Sequence, residues 1–226
     1  NKKFTFIDNF SNTLFKNDNK KKIVLTISKS GNTLETISNS NILFNKKNIN
    51  IFITEDRKSY LSELAYKLKS EVIHHNNFIG GRYSVLSEVG MLPAQLMGFK
   101  PEKFRRLNKL VKNKNFINSL IKNVANIFYL TNQKKTNSIV LNYDDKSNDL
   151  FYWYQQLVAE SLGKNSKGIL PMISIMPKDN HSLMQYYLDG VKNNFFTFFF
   201  VKEKNSKKIR DNQLLKTHLY LKKKSL

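Results

Sequence analysis

The chain has no cysteine, few acids and no long apolar stretch, and each lack removes a class of function. With zero cysteines among 226 residues, disulfides, thiolate metal sites and cysteine nucleophiles are out, which fits a reducing compartment. The longest dense apolar run, Phe195–Val201, is far short of the roughly 20 residues that a membrane-spanning helix needs, and it reads as a buried strand. A soluble, cytoplasmic protein is therefore expected, with no membrane partner. Four histidines and scattered acids show no ligand spacing, so neither a metal nor an organic cofactor is expected. No low-complexity linker or repeat interrupts the sequence. The first residue is Asn1, not Met, so a preceding segment is compatible with the sequence.

The scarcity of acids, 17 against 38 Lys and Arg, leaves a formal charge of +21. Clustered cations neutralise nucleic-acid phosphates. Here lysine is scattered among asparagines, as in Asn45-Lys46-Lys47-Asn48 and Lys112-Asn113-Lys114-Asn115, and no nucleic-acid motif accompanies it. Nucleic acid is not expected as a partner. The positive field would still draw in a small anion. The tail Lys222–Leu226 reads as a solvated end, since its order Lys-Ser-Leu is not that of the peroxisomal Ser-Lys-Leu address.

Apolar runs and helical patterns alternate along the chain. Strand-like runs at 22–27, 50–54, 138–141, 169–175 and 195–201 are interleaved with helical patterns at 33–43, 60–68, 149–162 and 183–188. That order predicts an α/β fold, with parallel sheets covered by helices on both faces. Residues 88–98 and 101–127 read as mostly helical, giving a bridge over 98–135 between two α/β units, 1–97 and 136–226.

Three segments carry chemistry. Ser28-Lys29-Ser30-Gly31-Asn32-Thr33 follows a strand-like run and precedes a helix with Glu35 in its first turn. Hydroxyls of Ser28, Ser30 and Thr33 at a helix N-terminus suit a phosphate dianion. The same residues equally suit a plain helix cap. Next, Gly80-Gly81-Arg82-Tyr83-Ser84-Val85-Leu86-Ser87 places a permanent cation after two residues without Cβ, letting backbone approach an anion closely. Third, Gln156 and Glu160 share one face of a helix ending near Gly163, beside the apolar Trp153, Leu157 and Leu162. A carboxylate next to that stripe is strengthened as a base where it is partly desolvated; a glutamate on an amphipathic helix is more often a solvated surface residue.

The Phe78–Ser87 segment resembles the signature of the glucose-6-phosphate isomerase (phosphoglucose isomerase) family. The run Ser28-x-Ser30-Gly31-x-Thr33-x-Glu35-Thr36 is similar to the phosphosugar loop of the wider sugar isomerase (SIS) domain superfamily. The resemblance implies a three-layer αβα sandwich with two SIS-type, flavodoxin-like domains, the first incomplete. It also implies interconversion of glucose 6-phosphate and fructose 6-phosphate. It puts Ser28, Lys29, Ser30 and Thr33 on the phosphate, Gln156 on the substrate, Arg82 on the enediolate and Glu160 as the general base. Asp179-Asn180-His181-Ser182 resembles the family region whose histidine opens the sugar ring and reaches into a neighbouring subunit's site, so His181 implies a homodimer. His74 and His75 carry no such match and read as structural.

Glu88 stands where the family usually has a small residue such as Ala; pairing with Arg82 and facing solvent are both open to it. A Gly-Ser element upstream of the phosphosugar loop has no counterpart here. The family's C-terminal lysine signature is also missing, since Lys216-Thr217-His218 does not fit it. The expectation is a fragment lacking both ends. The alternative is a non-catalytic phosphosugar-binding regulator, which would keep the loop and need neither Glu160 nor His181.

Overall fold

The computed structural model describes residues 3–10 and 20–203. The residues compared with the lysine signature, 216–218, and the charged tail, 222–226, lie outside them. The chain divides into two compact units, residues 1–123 and 124–226.

In the first unit, β1 (Ile23–Ile27), β2 (Ile49–Glu55) and β3 (Glu71–His75) form a parallel sheet in that order. Parallel neighbours require crossovers, and α1 (Leu34–Leu43) and α2 (Tyr60–Lys67) supply them. The residue types explain the elements. β1 and β2 are rich in β-branched residues, which suit a pleated surface. The α2 helix starts at Ser59, whose side chain accepts from the Ser62 amide while the Ser62 side chain accepts from the Ser59 amide, a reciprocal capping box. Leu61 and Ala65, one turn apart, are fully buried and cluster with Phe52 of β2. Burying a side chain of the Leu or Phe size contributes about 1.5–3 kcal/mol.

After β3, a 3-10 turn (Gly81–Leu86) leads into α3 (Glu88–Leu96), followed by the short α4 (Glu102–Arg105) and α5 (Asn108–Val111). The long α6 (Lys114–Asn132) runs across the boundary between the units.

The second unit repeats the plan. β4 (Asn137–Asn142) lies centrally between β5 (Leu170–Ile175) and β6 (Asn194–Phe199), all parallel. Helix α7 (Asn148–Leu162) joins β4 to β5, and α8 (Met184–Asp189) joins β5 to β6. The core gathers Ile139, Leu141, Met176 and Tyr187. The Tyr187 hydroxyl is satisfied there by the buried Ser174 hydroxyl at 2.5 Å.

The α/β class with parallel sheets read from the alternating runs is the one found. One detail is corrected: the phenylalanine-rich run is a strand but is not buried. As the edge of its sheet it keeps Phe195 covered and leaves Phe196 and Phe198 40% and 67% exposed. β3 was not expected, because Glu71-Val72-Ile73-His74-His75 mixes charge and imidazole into a short apolar pattern.

Candidate functional site

In a parallel α/β sheet, ligands gather beyond the carboxyl ends of the strands. The loop of residues 28–33 leaves the carboxyl end of β1, and the turn bearing Arg82 follows the carboxyl end of β3, so both emerge at the same end of the first sheet.

Neighbouring elements hold the loop from behind. The amides of Ser28 and Glu55 bond across to the carbonyls of Ile53 and Lys29, both at 3.0 Å. The first turn of α2 donates Leu61 N–H to the Gly31 carbonyl at 3.0 Å and Tyr60 N–H to Asn32 Oδ1 at 2.9 Å. Gly31 turns with φ +65°, and a Cβ there would overlap Ser59 Oγ, so only glycine lets the loop pass this close to the α2 cap.

A plain cap and a cradle differ in where the Thr33 hydroxyl goes. Thr33 is the N-cap of α1 in extended conformation, yet it makes no side-chain cap bond. Its Oγ1 pairs instead with Ser28 Oγ at 2.8 Å. The hydroxyls of the loop are thus drawn together at a helix N-terminus whose first amides have no intrahelical acceptor. Ser30 Oγ accepts from Asn32 N–H at 3.2 Å, keeping the loop tight.

Lys29 is directed elsewhere. Its ammonium pairs with Glu55 at 2.9 Å and donates to the Asn77 carbonyl at 3.3 Å. Glu55 also takes Arg57 at 3.0 Å. The hydrogen bond from Lys29, aided by the charges of Arg57, Lys29 and His75, holds the Glu55 carboxyl below its ordinary range against the opposing effect of desolvation.

The Arg82 guanidinium lies over the Tyr83 ring at 4.8 Å. A Cβ on Gly81 would meet nothing within 4 Å. Packing inside the protein therefore does not require glycine at 81, and the backbone beside Arg82 stays open to approach.

In the second unit, Gln156 donates to Glu160 Oε1 at 3.1 Å, so the two residues expected to share a helix face do so. Of the two settings open to Glu160, the solvated one is found: both side chains are exposed, and α7 has no fully buried residue. The apolar stripe of Trp153 and Leu157 is itself only half-buried. His181 is exposed on a 3-10 turn (Lys178–His181) just past β5. Asp179 fixes that turn, accepting the Ile175 amide at 2.8 Å and the Ser182 hydroxyl at 3.0 Å. The Asp-x-His-Ser spacing was the signal for that support.

Within this unit Glu160 and His181 stand at opposite ends of the sheet. Gln155 donates to the Pro171 carbonyl at the start of β5, 2.9 Å away, and α7 runs antiparallel to the strand. Glu160 lies five residues past that contact on the helix, and His181 lies beyond the strand's other end, so they are separated by about 20 Å along the strand axis.

Sequence reasoning missed Thr54, Ser59 and Asn32 as supports of the loop, because their partners lie about 25 or more residues away in the chain. Among the described residues no cluster of three or more His, Cys, Asp and Glu side chains could hold a metal ion. No helix among them is long and apolar enough to cross a membrane.

Fold and loop together define a parallel α/β protein with a hydroxyl-bearing loop at the carboxyl end of its first sheet. A family model described as phosphoglucose isomerase matches residues 6–172. The glucose-6-phosphate isomerase of Methanocaldococcus jannaschii is 35% identical over 88% of this chain and 53% of its own length. That of Mycoplasmopsis pulmonis is 34% identical over 92% of this chain and 53% of its own length. A hypothetical protein from Thermus thermophilus has a solved structure similar at a TM-score of 0.73, with 24% identity over 95% of this chain and 55% of that one. A glucose-6-phosphate isomerase from Chlamydia trachomatis is similar at 0.54, with 20% identity over 78% and 38% of the two chains. The two structural likenesses concern the fold alone. The chain belongs to the phosphoglucose isomerase family and spans about half the length of the curated relatives it matches.

Proposed function

We propose that the protein containing this chain is an aldose–ketose isomerase that interconverts glucose 6-phosphate and fructose 6-phosphate in the cytoplasm. Family membership supports this reading. The observation that carries it is the Thr33 hydroxyl, which turns from helix capping to Ser28 and so supports a phosphate-binding role for the loop. Ser28, Ser30 and Thr33 bind the phosphate oxygens. Lys29 contributes main chain to that loop, its ammonium being committed to Glu55.

His181 opens the sugar ring by moving a proton between the ring oxygen and the C1 hydroxyl. Glu160, oriented by Gln156, then takes the C2 proton of the open aldose. The electron pair left behind forms the C1–C2 double bond, and charge collects on O1 of the enediolate, where Arg82 stabilises it. Glu160 returns its proton to C1. The O2 hydroxyl proton passes to O1, and a carbonyl is left at C2. The reaction is an internal transfer of two protons, C2 to C1 and O2 to O1, with a shift of the carbonyl, and it calls for no outside oxidant or reductant.

The separation of Glu160 from His181 supports a homodimer, in which His181 of one copy serves the site of the other. Residues 1–97 are the remainder of a first SIS domain, 98–135 a helical bridge, and 136–226 part of a second SIS domain. The retention of both Glu160 and His181 argues against a purely regulatory phosphosugar binder.

The test is conversion of fructose 6-phosphate to glucose 6-phosphate by the complete protein, beside the 226-residue chain. Turnover by the complete protein is expected. Phosphosugar binding without turnover would replace the isomerase with the regulator.

A further inference from the structure

The turn that carries Arg82 is closed on itself by short internal bonds. The Tyr83 amide donates to the Gly80 carbonyl and the Ser87 amide to the Ser84 carbonyl, both at 2.9 Å. The Ser84 and Ser87 hydroxyls donate to the carbonyls of Gly81 and Ser84, both at 2.6 Å. Turn and helix form one body as well, since a Cβ on Gly90 of α3 would overlap the Val85 carbonyl oxygen. These bonds fix the shape of the turn and leave open what fixes its place on the sheet.

His75, the last residue of β3, answers that. Its side chain is 0% exposed, and both ring nitrogens are engaged. Nε2 lies 3.1 Å from the carbonyl of Ile79, immediately before Gly80. Nδ1 meets Oε1 of Glu88, the first residue of α3. One buried ring therefore grips the entry to the turn and the exit from it, with Arg82 in between. A carbonyl only accepts, so Nε2 carries the donor proton toward Ile79. The other charged groups on this side are Glu55, the register partner of His75 on β2, with its own cations Lys29 and Arg57. Glu88 is also the position at which this sequence departs from the small residue that its resemblance would supply.

We propose that His75 and Glu88 are positioning residues for Arg82: the pair clamps the Gly80–Ser87 turn to the end of β3 and sets where the guanidinium stands. This rests on the isomerase reading above. Arg82 acts on the enediolate and the loop of residues 28–33 grips the phosphate, so loosening the clamp lowers kcat and spares KM.

The test compares Glu88→Ala and Glu88→Gln in the complete protein. A glutamine amide can donate to Nδ1 while Nε2–H still serves Ile79, so it keeps the clamp without the charge. Glu88→Ala is expected to lower kcat about tenfold with KM within about twofold, and Glu88→Gln to stay within about twofold in both. Leu64→Ala, which loosens the core under α2 and leaves the Arg82 turn untouched, serves as the stability control and should keep kcat. Unchanged kcat in Glu88→Ala overturns the proposal, as does a fall that Glu88→Gln and Leu64→Ala share in step with lost thermal stability. Should Glu88→Ala not fold, the imidazole nitrogen resonances of the unaltered protein give the answer: a solvent-exchanging Nδ1 overturns the clamp, and two bonded nitrogens support it. A wild-type protein that does not interconvert the sugar phosphates overturns the isomerase reading and this role with it. An active wild type with an indifferent Glu88→Ala overturns this role alone.

Discussion

The two units hold their functional side chains in opposite ways. In the first, the phosphate loop is tied down at nearly every residue: Ser28 and Lys29 to β2, Gly31 and Asn32 to α2, Thr33 to Ser28. In the second, Gln156, Glu160 and His181 stand on exposed faces, Glu160 accepting from Gln156 and His181 carried on a 3-10 turn. The bonds of the loop are completed within its own unit, whereas the faces bearing Gln156, Glu160 and His181 are open to solvent. A phosphate site gains from rigidity before the ligand arrives. A base gains from a dry setting that an exposed helix face does not provide alone.

The sharpest break of this contrast is Glu160→Gln in the complete protein. It should cut turnover about 10²- to 10⁴-fold, while sugar-phosphate binding by calorimetry and the melting temperature stay as they were. A loss of binding or stability of the same size would mean that Glu160 is built into its unit as firmly as the loop is. Gly31→Ala probes the other side. The left-handed backbone and the contact with Ser59 should cost about 1–3 kcal/mol in denaturant titration and weaken phosphosugar binding. Normal affinity in that variant would show that the loop is less committed than its bonds suggest.

The smallest effect concerns Glu55, whose carboxyl is held below its ordinary value of 4.5. A lowered folded value contributes stability that is present above the ordinary value and is lost as pH falls through the lowered one. The wild type should therefore lose stability on acidification below about pH 4.5, and Glu55→Gln should flatten that part of the curve in urea titrations. Equal acid sensitivity in both would remove Glu55 from the bracing of the loop.

Much of the fold was legible because local pattern and tertiary role agree. The apolar runs of β1, β2, β4 and β5 and the i, i+4 pair Leu61 and Ala65 state their periods openly. β3 was hidden, because its last two residues are histidines and one of them is buried through long-range bonds. The exposure of β6 was hidden too. Composition tells that Phe195–Phe199 forms a strand, but only the sheet order tells that nothing pairs beyond it among the described residues. The same holds for the site. Loop and turn motifs are contiguous and readable, whereas the bond of Thr33 to Ser28, the ion pair of Lys29 and the clamp of His75 depend on distance in space.

The edge of β6, unpaired among the described residues, also bears on how the molecule behaves in a crowd. An unpaired strand edge carrying bare phenylalanines is a template on which another copy can lay down its own edge. Against that adhesion stands the net charge of +21, which adds repulsion to non-specific encounters between copies. Salt shortens the reach of that repulsion to about 8 Å at physiological strength and leaves the apolar contact intact. The lysine excess thus acts as a colloidal counterweight to one sticky strand, and its hold is weakest in concentrated electrolyte.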